Sequence, residues 1–100
     1  MKIEILPEAN EDLIAGFKFY EKQSRGLGSY FLDSLFSDIN SLLVYRGIHP
    51  VFYGSYRCQS RRFPFAIYYL IEDDSIRIEA VYDNRRNPAK IRRRLKGKRQ

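Results

Sequence analysis

Arginine dominates the chemistry available to this chain. Arg57 and Arg61 fall at alternating positions of one stretch and Arg62 follows them; Arg85 and Arg86 stand together further on, and Arg92, Arg93 and Arg94 form a run near the end. A guanidinium carries a planar fork of donors that matches phosphate and carboxylate oxygens. The set therefore reads as a binder of phosphate or of acidic side chains. Tyr82, three residues before Arg85, is the candidate for proton transfer among these cations. It serves as a base only if its pKa falls far below the ordinary value of about 10. A packing or stacking ring is its plainer role. The single cysteine, Cys58, excludes an internal disulfide, and the single histidine, His49, precedes Pro50 in a loop stretch. No metal site and no cofactor is expected from these two.

Each arginine taken singly has a structural account. Arg57 and Arg61 suit the polar face of a half-buried strand, and Asp83 can hold Arg85 or Arg86 in a surface ion pair. As a group they are harder to dismiss, because an arginine-bearing strand and a later Arg-Arg pair can meet at one end of a small sheet.

Charge is unevenly placed. Of the net +6, residues 1–50 contribute −2 and residues 51–100 contribute +8, with nine Lys/Arg and no acid from Asn84 to Gln100. Such asymmetry points to a polyanionic or strongly acidic partner; the alternative is a solvated tail that aids solubility. One hundred residues, 44% of them apolar, allow one domain and not two independent cores. Eight Tyr and seven Phe supply that core. Lys2 and Glu4 break the apolar start, which is unlike a signal peptide, and the apolar run Phe65 to Ile71 is too short to span a bilayer. A cytoplasmic protein is the expectation.

The elements that position these residues follow from periodicity. Lys2-Ile3-Glu4-Ile5 alternates as a strand does, and Pro7 then opens a helix with Ala9, Leu13, Phe17 and Tyr20 on one face. Arg25-Gly26-Leu27-Gly28 breaks it, Ser29 or Gly28 caps a second helix, and Phe31, Leu35, Ile39 and Leu42 form the second stripe. Past Pro50 the period falls to two. Helices are expected at 8–24 and 28–45, and strands near 2–6, 55–62, 65–72 and 75–82, with ends uncertain by about two to four residues. Pro88 opens a short helix and the basic tail from about residue 89 frays. The fold class is α+β, in the order β-α-α-β-β-β. A small, twisted, mostly antiparallel sheet carries the helical hairpin on one face, in a single domain spanning 1–100. The first strand lies beside the last or the central one.

The C-terminal block resembles a known family. Tyr56-Arg57, then Arg62-Phe63-Pro64-Phe65-Ala66-Ile67-Tyr68-Tyr69, then Ile76 to Val81 and Arg85-Arg86-Asn87-Pro88 are similar to the ParE/RelE toxin superfamily. Pro7-Glu8-Ala9, Asp12-Leu13 and Phe19-Tyr20-Glu21 resemble its opening. The resemblance implies the toxin of a type II toxin–antitoxin (plasmid stabilisation) system, bound and neutralised by an acidic antitoxin protein in a hetero-oligomer. ParE-like members poison DNA gyrase; RelE-like members cleave mRNA on the ribosome. On the nuclease reading Arg57, Arg61, Tyr82 and Arg85 would carry the reaction. Where family members often have His after the Ala-Val pair, this chain has Tyr82, and no aromatic follows it. A nuclease needs a positioned acid–base pair; an inhibitor needs a surface. The gyrase-inhibitor reading is therefore preferred. Arg57, Arg61, Arg62, Arg85, Arg86, Arg92, Arg93 and Arg94 are then the expected binding residues, with Lys96, Lys98 and Arg99 completing an exposed basic end. A basic nucleic-acid-binding module and an inactive relative of the toxins are the remaining alternatives.

Overall fold

The computed structural model describes residues 1–98. β1 (Lys2–Ile5) stops before Pro7, whose fixed φ opens α1 (Pro7–Gln23). α1 turns into α2 (Leu27–Tyr45) through Gly26, which takes a φ of 86°. No hydroxyl caps α2, contrary to the expectation for Ser29. Instead the Glu21 carboxylate accepts the N–H groups of Gly26 and Gly28, at 3.1 and 2.9 Å, and places a negative charge at the positive end of α2. The two helices lie close: a Cβ on Gly16 would sit 2.5 Å from the Phe31 ring, so only glycine fits there.

The sheet follows as β2 (Val51–Phe52), β3 (Ser55–Gln59), β4 (Phe65–Glu72) and β5 (Ser75–Asp83), in the spatial order β1-β5-β4-β3-β2. β1 runs parallel to β5, and every other pairing is antiparallel. The parallel pairing follows from the intervening helical hairpin, which returns the chain to the far side of the last strand.

Alternate residues of β4 face opposite ways. Ile67 and Tyr69 join Leu13, Phe31, Leu35 and Leu42 beneath the hairpin, while Ala66 and Tyr68 lie on the other face. A bulge interrupts β5: Tyr68 pairs with Ala80 but Tyr69 pairs with Ile78, which leaves Glu79 as the extra residue. Every side chain beyond it is thereby shifted by one position. Ile76 and Ile78 face the hairpin, yet Ala80 and Tyr82 face away from it. Glu79 itself is buried and accepts a hydrogen bond from Ser55 Oγ at 2.5 Å.

The strand expected over 55–62 ends at Gln59, because Asp38 of α2 accepts Ser60 Oγ at 2.7 Å and Arg61 N at 3.3 Å and draws the chain off the sheet. A two-residue edge strand, β2, precedes it and was not foreseen. The basic end does not fray over the described residues. It forms α3 (Pro88–Gly97), capped by the Asn87 side chain on Ala89 N at 2.9 Å. Ile91 and Leu95, one helical turn apart, are buried against Ala66, Tyr68 and Ala80. The hairpin packs on one face of the sheet, as expected, and α3 adds cover on the other.

Candidate functional site

On the face covered by α3, strands and loop bring several of the sequence candidates into one cleft of about 230 Å³. β3 supplies Arg57, and its register partner across the ladder is Tyr68 of β4. The bulge turns Tyr82 of β5 into the same space, and the loop after β5 adds Asn84 and Arg86. Tyr53 stands in the β2–β3 turn, and Pro88 and Ile91 of α3 close the far side.

The Arg57 guanidinium carbon lies 4.3 Å from the centre of the Phe52 ring, a cation–π contact that holds the side chain against the sheet. The Gln59 amide sits between Arg57 and Asn84; turned with its oxygen to the guanidinium, it accepts Nε and Nη2 at 2.8 and 2.6 Å. Burial pushes the Tyr68 phenol upward in pKa, partly offset by Arg57 beside it, so it stays a donor. Tyr82 Oη donates to the Asn87 carbonyl at 2.6 Å. No carboxylate lines the cleft among the described residues.

The other arginines divide by partner. Arg85 does not line the cleft. It forks onto Asp83 at 2.9 and 2.8 Å and reaches Tyr20 Oη at 3.3 Å, tying the end of β5 to α1. That fork holds the Asp83 carboxyl below the usual carboxylate range and raises Arg85. Arg94 is equally engaged: it meets Asp12 at 3.1 and 2.9 Å and the Glu79 carbonyl at 3.1 Å. Arg61 and Arg62 are exposed in the β3–β4 loop, and Arg92, Arg93 and Lys96 are exposed on α3. Lys98 pairs with Glu8 of α1. Arg99 lies outside the described residues.

Of the four residues expected for a nuclease, the cleft unites Arg57 and Tyr82, and it adds Arg86. Tyr53, Tyr68 and Asn84 were not named as site residues from sequence, although Tyr68 belongs to the block that carries the family resemblance. Tyr53-Gly54 carried a signal: the pair forms a tight hairpin turn with φ of 56° and 84°. His49 is elsewhere. Its Nδ1 lies 2.5 Å from Tyr69 Oη, which also accepts Gly47 N at 2.9 Å, and Tyr69 belongs to the hairpin face of the sheet. Cys58 is buried and its thiol is pushed up to about 11, so it is unreactive. Among the described residues no group of His, Cys, Asp and Glu could hold a metal ion, and no helix is long and apolar enough to cross a membrane.

A second hollow, of about 280 Å³, opens on the other side of Tyr82 and Arg86, between α1 and β5. Ala15, Gly16, Phe19, Phe65 and Val81 supply its apolar lining, and Arg86 and Lys90, unpaired among the described residues, its cations; Asp12 and Asp83, paired with Arg94 and Arg85, line it as well. Phe19 is half exposed there.

Comparison with solved structures gives a clear result for this architecture. A chain described as "Chromosomal ParDE TA system from P. aeruginosa" superposes with a TM-score of 0.71, covering 83% of this chain and 95% of that one at 17% identity. The fold is ParE-like. Neither family models nor curated proteins return a match to the sequence. The ParE-like fold thus rests on shape, and it places both hollows on a scaffold also present in a toxin–antitoxin system.

Proposed function

We propose that this chain is the toxin of a type II toxin–antitoxin pair, that it acts in the cytoplasm by binding and inhibiting DNA gyrase, and that an acidic antitoxin neutralises it. The observation that carries the choice of target is the composition of the cleft. Its cations and phenols suit binding, but the only histidine is held on the opposite face of the sheet by Tyr69, and the Tyr82 hydroxyl is engaged as a hydrogen-bond donor to the Asn87 carbonyl. Loss of a positioned acid or base costs a nuclease a factor of about 10² to 10⁴ for each group. An inhibitor has no such requirement.

The hollow between α1 and β5 suits an antitoxin segment with an apolar anchor over Phe19 and Val81 and carboxylates against Arg86 and Lys90. The exposed Arg61, Arg62, Arg92 and Arg93 extend that attraction, while Arg85 and Arg94, already paired, contribute less.

The test incubates purified protein with gyrase and plasmid, and separately with programmed ribosomes. Blocked supercoiling or trapped cleavage complexes, with intact mRNA, is the expected result. Ribosome-dependent mRNA cleavage that disappears in Arg57→Ala or Tyr82→Phe would make the chain a RelE-like endoribonuclease instead. Co-expression with the acidic product of the neighbouring gene should restore growth and yield a co-purifying complex.

A further inference from the structure

We propose that the β2 edge of the sheet, with the end of α2 beside it, is a self-association surface on which a second copy of the chain docks about a two-fold axis, Val51 facing Val51.

Exposure marks the surface. Val44, Tyr45, Ile48 and Val51 are 75, 55, 72 and 60% exposed, more than any other large apolar side chain among the described residues, and all four fall between positions 44 and 51. The loop that carries them is anchored. Gly47 N–H and His49 Nδ1 both meet Tyr69 Oη, and the Tyr69 ring stacks on Tyr56, the ladder partner of Val51. Apolar side chains held in solvent by an ordered backbone mark an interaction surface.

The backbone of β2 adds a polar component. Pro50 O accepts the Arg57 N–H at 2.8 Å, and Val51 stands opposite Tyr56 in the antiparallel ladder. Bonded and non-bonded pairs alternate in such a ladder, so Val51 turns both its N–H and its C=O away from β3, toward the open edge. A residue that offers a donor and an acceptor side by side is complementary to itself. In antiparallel contact each Val51 N–H donates to the Val51 C=O of the second copy. β1, the other outer strand, sets exposed Lys2 and Glu4 along its length, charges that discourage strand pairing; β2 has none. A two-fold contact uses the β2 edge of each copy once and closes, so the product is a dimer and not a fibre.

Charge selects a second copy over an acidic partner. The stretch 44–51 holds no acid and one Lys/Arg, Arg46, whose guanidinium donates to the Leu43 carbonyl. An acidic segment finds little to pair with there, whereas exposed arginines await it on the β3–β4 loop and α3. Two copies of a chain of net charge +6 repel least when they meet on their least charged face.

Sedimentation velocity of the purified full chain tests this. A contact of this size gives weak association, so the mass should pass from one chain to two between about 5 and about 500 µM. The transition should come earlier at about 300 than at about 50 mM salt, because screening relieves the repulsion between the copies. Val51→Lys and Val51→Glu each set like charges opposite one another and should weaken association at least about tenfold. An equimolar mixture of the two variants should dimerise again, since a two-fold contact at this position sets the lysine against the glutamate. Such recovery also shows that both variants fold. Ile14→Lys, at another exposed apolar position on α1, should leave self-association within about twofold. A monomer at every concentration, association that Val51→Lys does not weaken, a mixture that stays monomeric, or species larger than two chains would each overturn the assignment. A chain that stays monomeric while Val51→Lys alters its binding of an acidic peptide would give the edge to such a partner, and overturn it too. The measurement needs neither gyrase nor antitoxin, so its outcome is independent of theirs.

Discussion

Gly16 and His49 show how much a single position can carry in so small a domain. Gly16 lets α1 and α2 approach until a methyl group would meet the Phe31 ring at 2.5 Å. Phe31 cannot retreat, because it is fully buried and packs against Tyr20, Phe63 and Phe65 with ring centres about 5 Å apart. Gly16→Ala should therefore lower unfolding free energy by about 1–3 kcal/mol, despite alanine's better helix propensity, as measured by urea titration. His49 carries a different kind of sensitivity. Burial lowers its pKa, so the fold favours the neutral ring, which shares a hydrogen bond with Tyr69 Oη while Tyr69 accepts Gly47 N–H. A depressed pKa means the contribution is complete above the ordinary histidine value of about 6.5 and is lost as pH falls through the lower folded value. The protection factor of the Gly47 amide against hydrogen exchange, taken relative to its intrinsic rate at each pH, should fall as pH is lowered below the ordinary histidine value of about 6.5. Tyr69→Phe should remove that pH dependence.

Among the elements, α3 separates what sequence discloses from what it conceals. The hairpin was legible because Leu13, Phe31, Leu35 and Leu42 repeat at helical spacing without competition from charge. The central strand was legible too, being apolar on both faces. In α3 only Ile91 and Leu95 are apolar anchors, and the surrounding arginines and lysines swamp them in any average over the segment. They matter because the sheet beneath offers Ala66 and Ala80, small residues over which two aliphatic side chains can lie. That complementarity is tertiary. The bulge in β5 was hidden for the same reason: a one-residue shift leaves the alternation on each side intact, and nothing local marks Glu79 as the extra residue. Tyr82 was identified as a candidate, but which face it occupied was not. Leu95→Ala and Ile91→Ala should each cost about 2–5 kcal/mol. A chain cut after Asn87 should bind a hydrophobic dye that the intact protein excludes.

At the scale of the whole molecule, the charge asymmetry read from sequence proves to be partly internal. The acidic first half and basic second half meet within the fold: Asp12 holds Arg94, and Glu8 holds Lys98. Charges consumed in this way steer nothing. The exposed remainder, on the β3–β4 loop and the outside of α3, should make association with an acidic partner faster at low salt, with little effect on dissociation. Stopped-flow binding to an acidic peptide at about 50 and about 200 mM salt would measure this.

The Asp12–Arg94 pair has a consequence for the protein's behaviour in concentrated solution. β1 covers β5 only as far as Ile78, so the outer edge of β5 continues without a neighbouring strand. Asp12 accepts the Val81 N–H at 2.9 Å, and Arg94 donates to the Glu79 carbonyl. Two side chains thus occupy the backbone groups that would otherwise template a strand from another molecule. Arg94→Met keeps much of the side-chain bulk but frees that edge. It should cost about 1–3 kcal/mol. More tellingly, it should turn a dispersed protein into one whose light scattering rises with concentration and time, with growth of intermolecular β-sheet in the infrared amide band. An arginine that reads in sequence as one more cation for binding partners would then be what keeps copies of the chain apart.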